Sequence, residues 1–135
     1  MRRLTREVAL VAGVAVLVGG CAGAAARSTT VELDLHFSRF EPSSVTVPAG
    51  TPVTFILRNT DPIDHEWIVG TAAVHERHRA GTEPVHDSRP TEVSVPALET
   101  RQTTVEFDEA GTYQFVCHLP GHEAYGMVGT VRVVP

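Results

Sequence analysis

The chain has 135 residues, 11 of them basic against 16 acidic, for a net charge of −5 at pH 7, which leaves room for one domain with a modest core. An acidic balance excludes a general nucleic-acid binder. Every basic residue is an arginine, so a P-loop, a lysine Schiff-base enzyme and a lysine-rich membrane patch are excluded as well.

Arg2, Arg3 and Arg6 precede an apolar run over residues 8–18, about the length of a signal-peptide core and short for a bilayer span. Residues 1–21 therefore read as an export signal. The run ends in Val18-Gly19-Gly20-Cys21, which resembles the bacterial lipobox, where cleavage leaves a lipid-bearing N-terminal cysteine. Cys21 is then a lipidation site; an ordinary signal peptide cut within residues 22–26 is the alternative. Residues 22–30 are small and polar and predict a flexible tether. Of the two cysteines, Cys117 is left without a disulfide partner in an exported chain, and such a thiol needs a chemical reason.

From Val31 onward apolar and polar residues alternate, as in Val31, Leu33, Leu35, Phe37 and again Val45, Val47, the period of half-buried strands. Further strands are predicted at 53–58, 66–69, 92–95, 102–107, 112–117 and 128–134, with turns at Pro48-Ala49-Gly50, 59–62 and Glu109-Ala110-Gly111. Seven or eight short strands over residues 31–135 predict an all-β sandwich of two antiparallel sheets. Phe37, Phe40, Phe55, Trp67, Phe107 and Phe115 are its expected large core fillers. Residues 71–90 break the rhythm. Helix-forming residues surround His75 and His78, and a Gly/Pro-interrupted loop carrying His86 follows, so an insertion with a short helix is expected on one edge. Its histidines either lie on a solvated surface or form a second metal site. His36 is expected to be exposed.

The chemistry concentrates in Cys117-His118-Leu119-Pro120-Gly121-His122-Glu123-Ala124-Tyr125-Gly126-Met127. Thiolate, imidazole and thioether together prefer copper over magnesium, calcium or a hydrolytic zinc site. With Cys117 at a strand end, one loop can fold back and aim Cys117, His122 and Met127 at one centre. His65, in a loop leading into a strand, is the natural fourth donor. Two imidazoles, one thiolate and a weak axial thioether make a type 1 copper site, one ion per chain.

The pattern Phe40-x-Pro42-x-x-Val45-x-Val47-x-x-Gly50-x-x-Val53-x-Phe55, then Asn59 and His65, then Tyr113-x-Phe115-x-Cys117-x4-His122-x4-Met127-x-Gly129 resembles the cupredoxins, the superfamily of plastocyanin and azurin. The resemblance covers nearly all of the chain beyond the export signal. It implies an eight-stranded Greek-key sandwich with copper near one end, bound by His65, Cys117, His122 and Met127. Two departures stand out. Glu66 occupies the place where such proteins commonly carry a small polar residue that ties the two ligand loops together. His118 directly after the cysteine is similar to the last motif of multicopper oxidases, whose flanking histidines bind further copper, but Val116 replaces the first of them and the other histidine motifs are missing. For His118 an outward or hydrogen-bonded side chain is the expectation.

The leading expectation is a one-electron carrier at the cell envelope rather than an enzyme, held at the membrane by the lipid on Cys21 and meeting redox partner proteins transiently; nothing in the sequence demands more than a monomer. His122 would lie nearest solvent within a collar of Leu119, Pro120, Ala124 and Tyr125. The alternative is a copper-handling protein, a chaperone, buffer or tolerance factor, on the same fold.

Overall fold

A computed structural model describes residues 28–81 and 89–135. The expected export signal, Cys21, most of the tether and His86 lie outside the described residues. Among the described residues, nine strands and one helix follow in the order β1 (Thr29–His36), β2 (Arg39–Glu41), β3 (Ser44–Pro48), β4 (Pro52–Asn59), β5 (His65–Gly70), α1 (Ala72–Arg79), β6 (Glu92–Val95), β7 (Thr100–Glu106), β8 (Gly111–Val116) and β9 (Val128–Val134). They form two sheets, β2-β1-β4-β7 and β3-β9-β8-β5-β6, and the sandwich expected from the alternation is there. β1 starts at Thr29, inside the segment expected to be tether, because Thr29 and Thr30 already pair with Val53 and Thr54.

The sheets are mixed rather than antiparallel throughout. β1 runs parallel to β4, and β3 runs parallel to β9. Parallel neighbours need a crossover between them. Here the chain leaves the first sheet after β2, contributes β3 to the second, and returns to the first as β4, so β1 and β4 enter from the same end.

Leu33, Leu35, Val53, Phe55 and Leu57 from one sheet and Trp67, Phe115, Val131 and Val133 from the other are buried between the layers. Phe55 lies against Trp67 with ring centroids 4.7 Å apart, and Phe40 meets Phe115 edge-on at 5.0 Å. Fully burying each such side chain contributes roughly 1.5–3 kcal/mol, and an aromatic pair adds about 0.5–1.5 kcal/mol beyond its area. Phe37 is the exception among the expected fillers, being 79% exposed. Phe37 and Ser38 adopt φ of 50° and 52°, the left-handed pair that closes a two-residue hairpin between β1 and β2. That turn takes Phe37 out of the alternation that buries Leu33 and Leu35.

Helix α1 is one face deep. Eight residues are marginal as an isolated helix, and what holds this one is His75, its buried residue, together with basic residues in the last turn that suit the helix dipole. Val74 packs so closely on Gly70 that a Cβ there would stand 2.8 Å from its side chain.

Candidate metal centre

Antiparallel pairing of β5 with β8, with Ile68 opposite Val116, brings the start of β5 beside the end of β8. His65 opens the one and Cys117 follows the other. The loop from Cys117 to Met127 is closed by its own backbone. The Cys117 N–H donates to the Met127 carbonyl at 3.2 Å, that of Met127 to His122 at 3.0 Å, and that of Tyr125 to Gly121 at 3.0 Å. Gly121 and Gly126 take φ of 87° and 92°, which a side chain would resist.

These constraints bring three of the expected donors together. One atom each of His65, Cys117 and His122 lie within 4.8 Å of one another. The Nδ1 atoms of His65 and His122 are 3.2 Å apart, and Cys117 Sγ is 3.2 Å from His122 Nδ1. Met127 is fully buried and tied to Cys117 through the backbone. His65 and Cys117 are buried, whereas His122 is partly exposed, so it is the histidine that solvent reaches.

The rings are aimed by groups behind them. His65 Nε2–H donates to Asp61 Oδ2 at 2.9 Å, which fixes the tautomer and turns the Nδ1 lone pair inward. Asp61 also accepts the N–H groups of Phe37 and Ser38, each at 2.8 Å. Its burial works against ionisation, yet the Ser38 N–H, the His65 ring and the Phe37 N–H together hold its carboxyl below the usual value. Burial, and then the neighbouring His65, lower the pKa of His122. Burial pushes the Cys117 thiol up to about 11. The Glu66 backbone N–H donates to Cys117 Sγ at 3.3 Å. This contact between the ligand loops comes from the main chain and survives the departure at position 66.

Asn59 does the remaining tying. Its buried amide donates to the carbonyls of Ile63, Val95 and Pro96 at 2.8–3.0 Å and accepts the Asp61 N–H at 2.9 Å. Neither Asp61 nor the role of Asn59 was read from the sequence. The available signal was a carboxylate four residues before the first histidine.

A second group of histidines lies next door. His118 Nε2 is 3.0 Å from His75 Nδ1, and the His78 ring stacks on that of His118 with centroids 5.2 Å apart and planes 18° apart. His75 is wholly buried rather than on a solvated surface, and the side chain of His118 is 7% exposed. Burial pushes His118 down to about 4 and lowers His75 as well. So His75 and His78 meet His118.

A buried thiol with two inward-facing imidazole nitrogens and a buried thioether nearby is a donor set of soft and intermediate bases, and no carboxylate oxygen belongs to it. It fits copper. The comparisons agree. The model of copper binding proteins of the plastocyanin/azurin family matches residues 28–134. The "Copper-resistant cuproprotein CopI" of Rubrivivax gelatinosus is 36% identical over 98 residues, 70% of this chain and 59% of that protein, so the chain spans less than two thirds of this relative's length. CopI of Pseudomonas aeruginosa is 29% identical over 150 residues, covering 87% of this chain and 82% of that one. Among solved structures, auracyanin A, a "blue" copper protein of Chloroflexus aurantiacus, superposes with a TM-score of 0.63 at 25% identity, over 80% of this chain and 100% of the other. The chain belongs to the plastocyanin/azurin family of copper-binding proteins.

Proposed function

We propose that this protein holds one copper ion through His65, Cys117, His122 and Met127 and serves copper tolerance at the cell envelope by keeping that ion out of circulation. The observation that carries the proposal is the convergence of Cys117 Sγ and the His122 and His65 Nδ1 atoms, at 3.2 Å spacings, with His65, Cys117 and Met127 buried and His122 partly exposed. Relatives whose names state copper resistance support it. When bound, copper supplies a one-electron couple whose two oxidation states both accept this donor set. The chain's own work is to release the Cys117 proton, to hold His65 on Asp61, and to leave His122 as the point of entry. Residues 1–21 would direct export and Cys21 would carry the lipid. No catalytic step is assigned to the chain.

The test has two parts. Cu(II) added to the purified protein should raise an intense thiolate-to-copper absorption in the visible that Cys117→Ser lacks. Cells deprived of the protein should lose growth under copper stress, with rescue by the wild type and none by Cys117→Ser. Equal rescue by both would end the tolerance reading.

One observation favours a second reading, the one-electron carrier. Phe37, Ile63, Leu98 and Tyr125 are the exposed large hydrophobic residues among those described, and all four lie on loops at the copper end. Phe37 and Leu98 reach it through their N–H bonds to Asp61, and Ile63 through its carbonyl on Asn59. Such a rim suits a small, short-lived redox encounter of under about 1,200 Å². Copper retained through repeated redox cycles favours the carrier; copper passed on intact to an acceptor favours handling.

A further inference from the structure

We propose that Arg79 of α1 and Glu123 of the ligand loop form a latch that governs how fast copper leaves, both acting as positioning residues for His122. The proposal rests on the copper-binding reading and deepens it, by naming what keeps a bound ion from exchanging.

Three of the four donors are closed off from solvent. His65, Cys117 and Met127 are buried, while His122 is partly exposed, so an ion reaches solvent past the His122 ring, which must swing aside. That ring is carried by a turn held together by local hydrogen bonds. The His122 N–H donates to the Leu119 carbonyl at 3.0 Å, the Tyr125 N–H to Gly121 at 3.0 Å and the Gly126 N–H to Glu123 at 2.9 Å. Bonds of this kind shape the turn without fastening it to the rest of the protein. The fastening comes from the residue after His122. Arg79 Nε–H is shared between the two Glu123 oxygens, each at 3.1 Å, and Nη2 donates to Oε1 at 2.6 Å.

A latch needs a fixed post, and α1 is one. His75 is buried with its Nε2 3.1 Å from the Gln114 carbonyl oxygen of β8, and Val74 packs against Gly70 at the end of β5. The helix is thus fixed to the two strands that deliver His65 and Cys117. Glu76 Oε2, 3.5 Å from Arg79 Nη1, steadies the guanidinium from within the helix. On the far side Glu123 Oε2 lies 3.5 Å from His118 Nδ1, and the His118 ring is stacked on that of His78. An exposed ion pair contributes little by itself, and this one is open to solvent, the Arg79 side chain being 42% and that of Glu123 33% exposed. A carboxylate gripped through both oxygens by a guanidinium is stronger than most and fixes direction as well as distance. It resists one motion in particular, the outward swing of the residue next to His122.

The experiment follows the visible band of the Cu(II)-loaded full chain while an excess of EDTA removes the ion. Arg79→Gln and Glu123→Gln should each release copper about three- to tenfold faster than the wild type. The double variant should be no faster than the quicker single one, because both changes remove one interaction. The two single variants shift the net charge in opposite directions, so steering of the anionic chelator would move their rates apart, whereas loss of a latch speeds both. An unchanged rate in either single variant, or rates displaced in opposite directions, overturns the proposal. Hydrogen exchange of the metal-free protein supplies a readout without copper, and it decides where a variant loses its band. The Tyr125 and Gly126 amides should exchange faster in Arg79→Gln than in the wild type while those of β8 keep their rates; equal rates in the turn, or acceleration everywhere, refute the latch. A wild type that shows no band on adding Cu(II) ends the copper reading itself, whereas a coloured wild type with unaltered variants ends the latch alone.

Discussion

Asp61 accepts the ring proton of His65 at 2.9 Å, and the same carboxylate fastens the Phe37-Ser38 hairpin turn. One side chain thus couples the aim of a metal-facing histidine to the left-handed turn that ends β1. Asp61→Ala removes an ionised acceptor from two backbone N–H groups and a ring N–H. Hydrogen bonds to a charged group contribute about 1.5–3 kcal/mol each, partly regained here by solvent, so a loss of about 2–4 kcal/mol is expected in denaturant unfolding. Copper affinity should fall about 10–100-fold, as it does when a supporting partner of a metal-bound histidine is lost. An Asp61→Ala protein that binds copper as tightly as the wild type would show that His65 needs no such support.

The same carboxylate has a pH signature. Its folded pKa lies below the ordinary value, so the unfolded chain binds a proton more readily than the folded one. The contribution to stability is therefore complete above about pH 4, the ordinary range, and is lost as the pH falls through the lower, folded value. Unfolding midpoints measured from pH 6 to pH 2 should fall more steeply for the wild type than for Asp61→Ala at the acid end. Parallel curves would remove Asp61 from the acid response.

Gly129 is the tightest glycine of the second sheet. A Cβ there would stand 2.1 Å from the Phe115 ring and 2.8 Å from the Ser43 carbonyl oxygen. Gly129→Ala should destabilise the protein by about 1–3 kcal/mol through overpacking. Shrinking the ring with Phe115→Leu in the same chain should recover part of that loss, because the two changes share one contact. Strict additivity of the two effects in denaturant unfolding would contradict the contact.

The alternation of Val31, Leu33 and Leu35 and the soft donors from Cys117 to Met127 were legible because each repeats a local rule, two-residue periodicity in one case and ligand chemistry in the other. The strands at 92–95 and 128–134 fall where the pattern puts them. Phe37 was not legible, since the alternation continues through it while the backbone turns away. The parallel pairing of β1 with β4 depends on which sheet each strand joins, and a strand's own residues carry no record of that. His75 meeting His118 is likewise a product of where α1 packs, forty-three positions earlier in the chain. Asp61 was visible only as one more polar residue in a turn, because its three partners come from two separate loops.

Burial keeps the Cys117 thiol protonated up to about pH 11, so copper must displace a proton to bind the sulfur. Below that pH each unit of alkalinity weakens the competing proton tenfold, and the sign is fixed: affinity rises with pH. Competition titrations of Cu(I) at pH 7, 8 and 9 should give apparent affinities climbing about tenfold per unit, with about one proton released from the thiol per copper bound. A flat profile would mean that the thiol is already ionised in the metal-free protein and that neighbouring groups, not the metal, hold it so.

Asn59 separates shape from hydrogen-bond chemistry at the base of the site. Its Nδ2 group donates to three carbonyls, those of Ile63, Val95 and Pro96, while the residue is 2% exposed. Asn59→Ala empties a small volume and strands those acceptors, each at about 1–3 kcal/mol before water relieves any of them, so a net loss of about 2–4 kcal/mol is expected. Asn59→Asp keeps the shape but replaces the donor with an oxygen that confronts three others. At pH 7 an ionised aspartate there should be worse than alanine, since a buried charge without a donor costs more than an unmade hydrogen bond. Below the pKa of that misplaced carboxyl, which its surroundings must raise, the protonated acid can donate once and the order should reverse. Unfolding of both variants at pH 7 and pH 4.5 decides it: aspartate more stable than alanine at pH 7 would mean that the three carbonyls find other donors and that Asn59 does not hold the His65 loop in place.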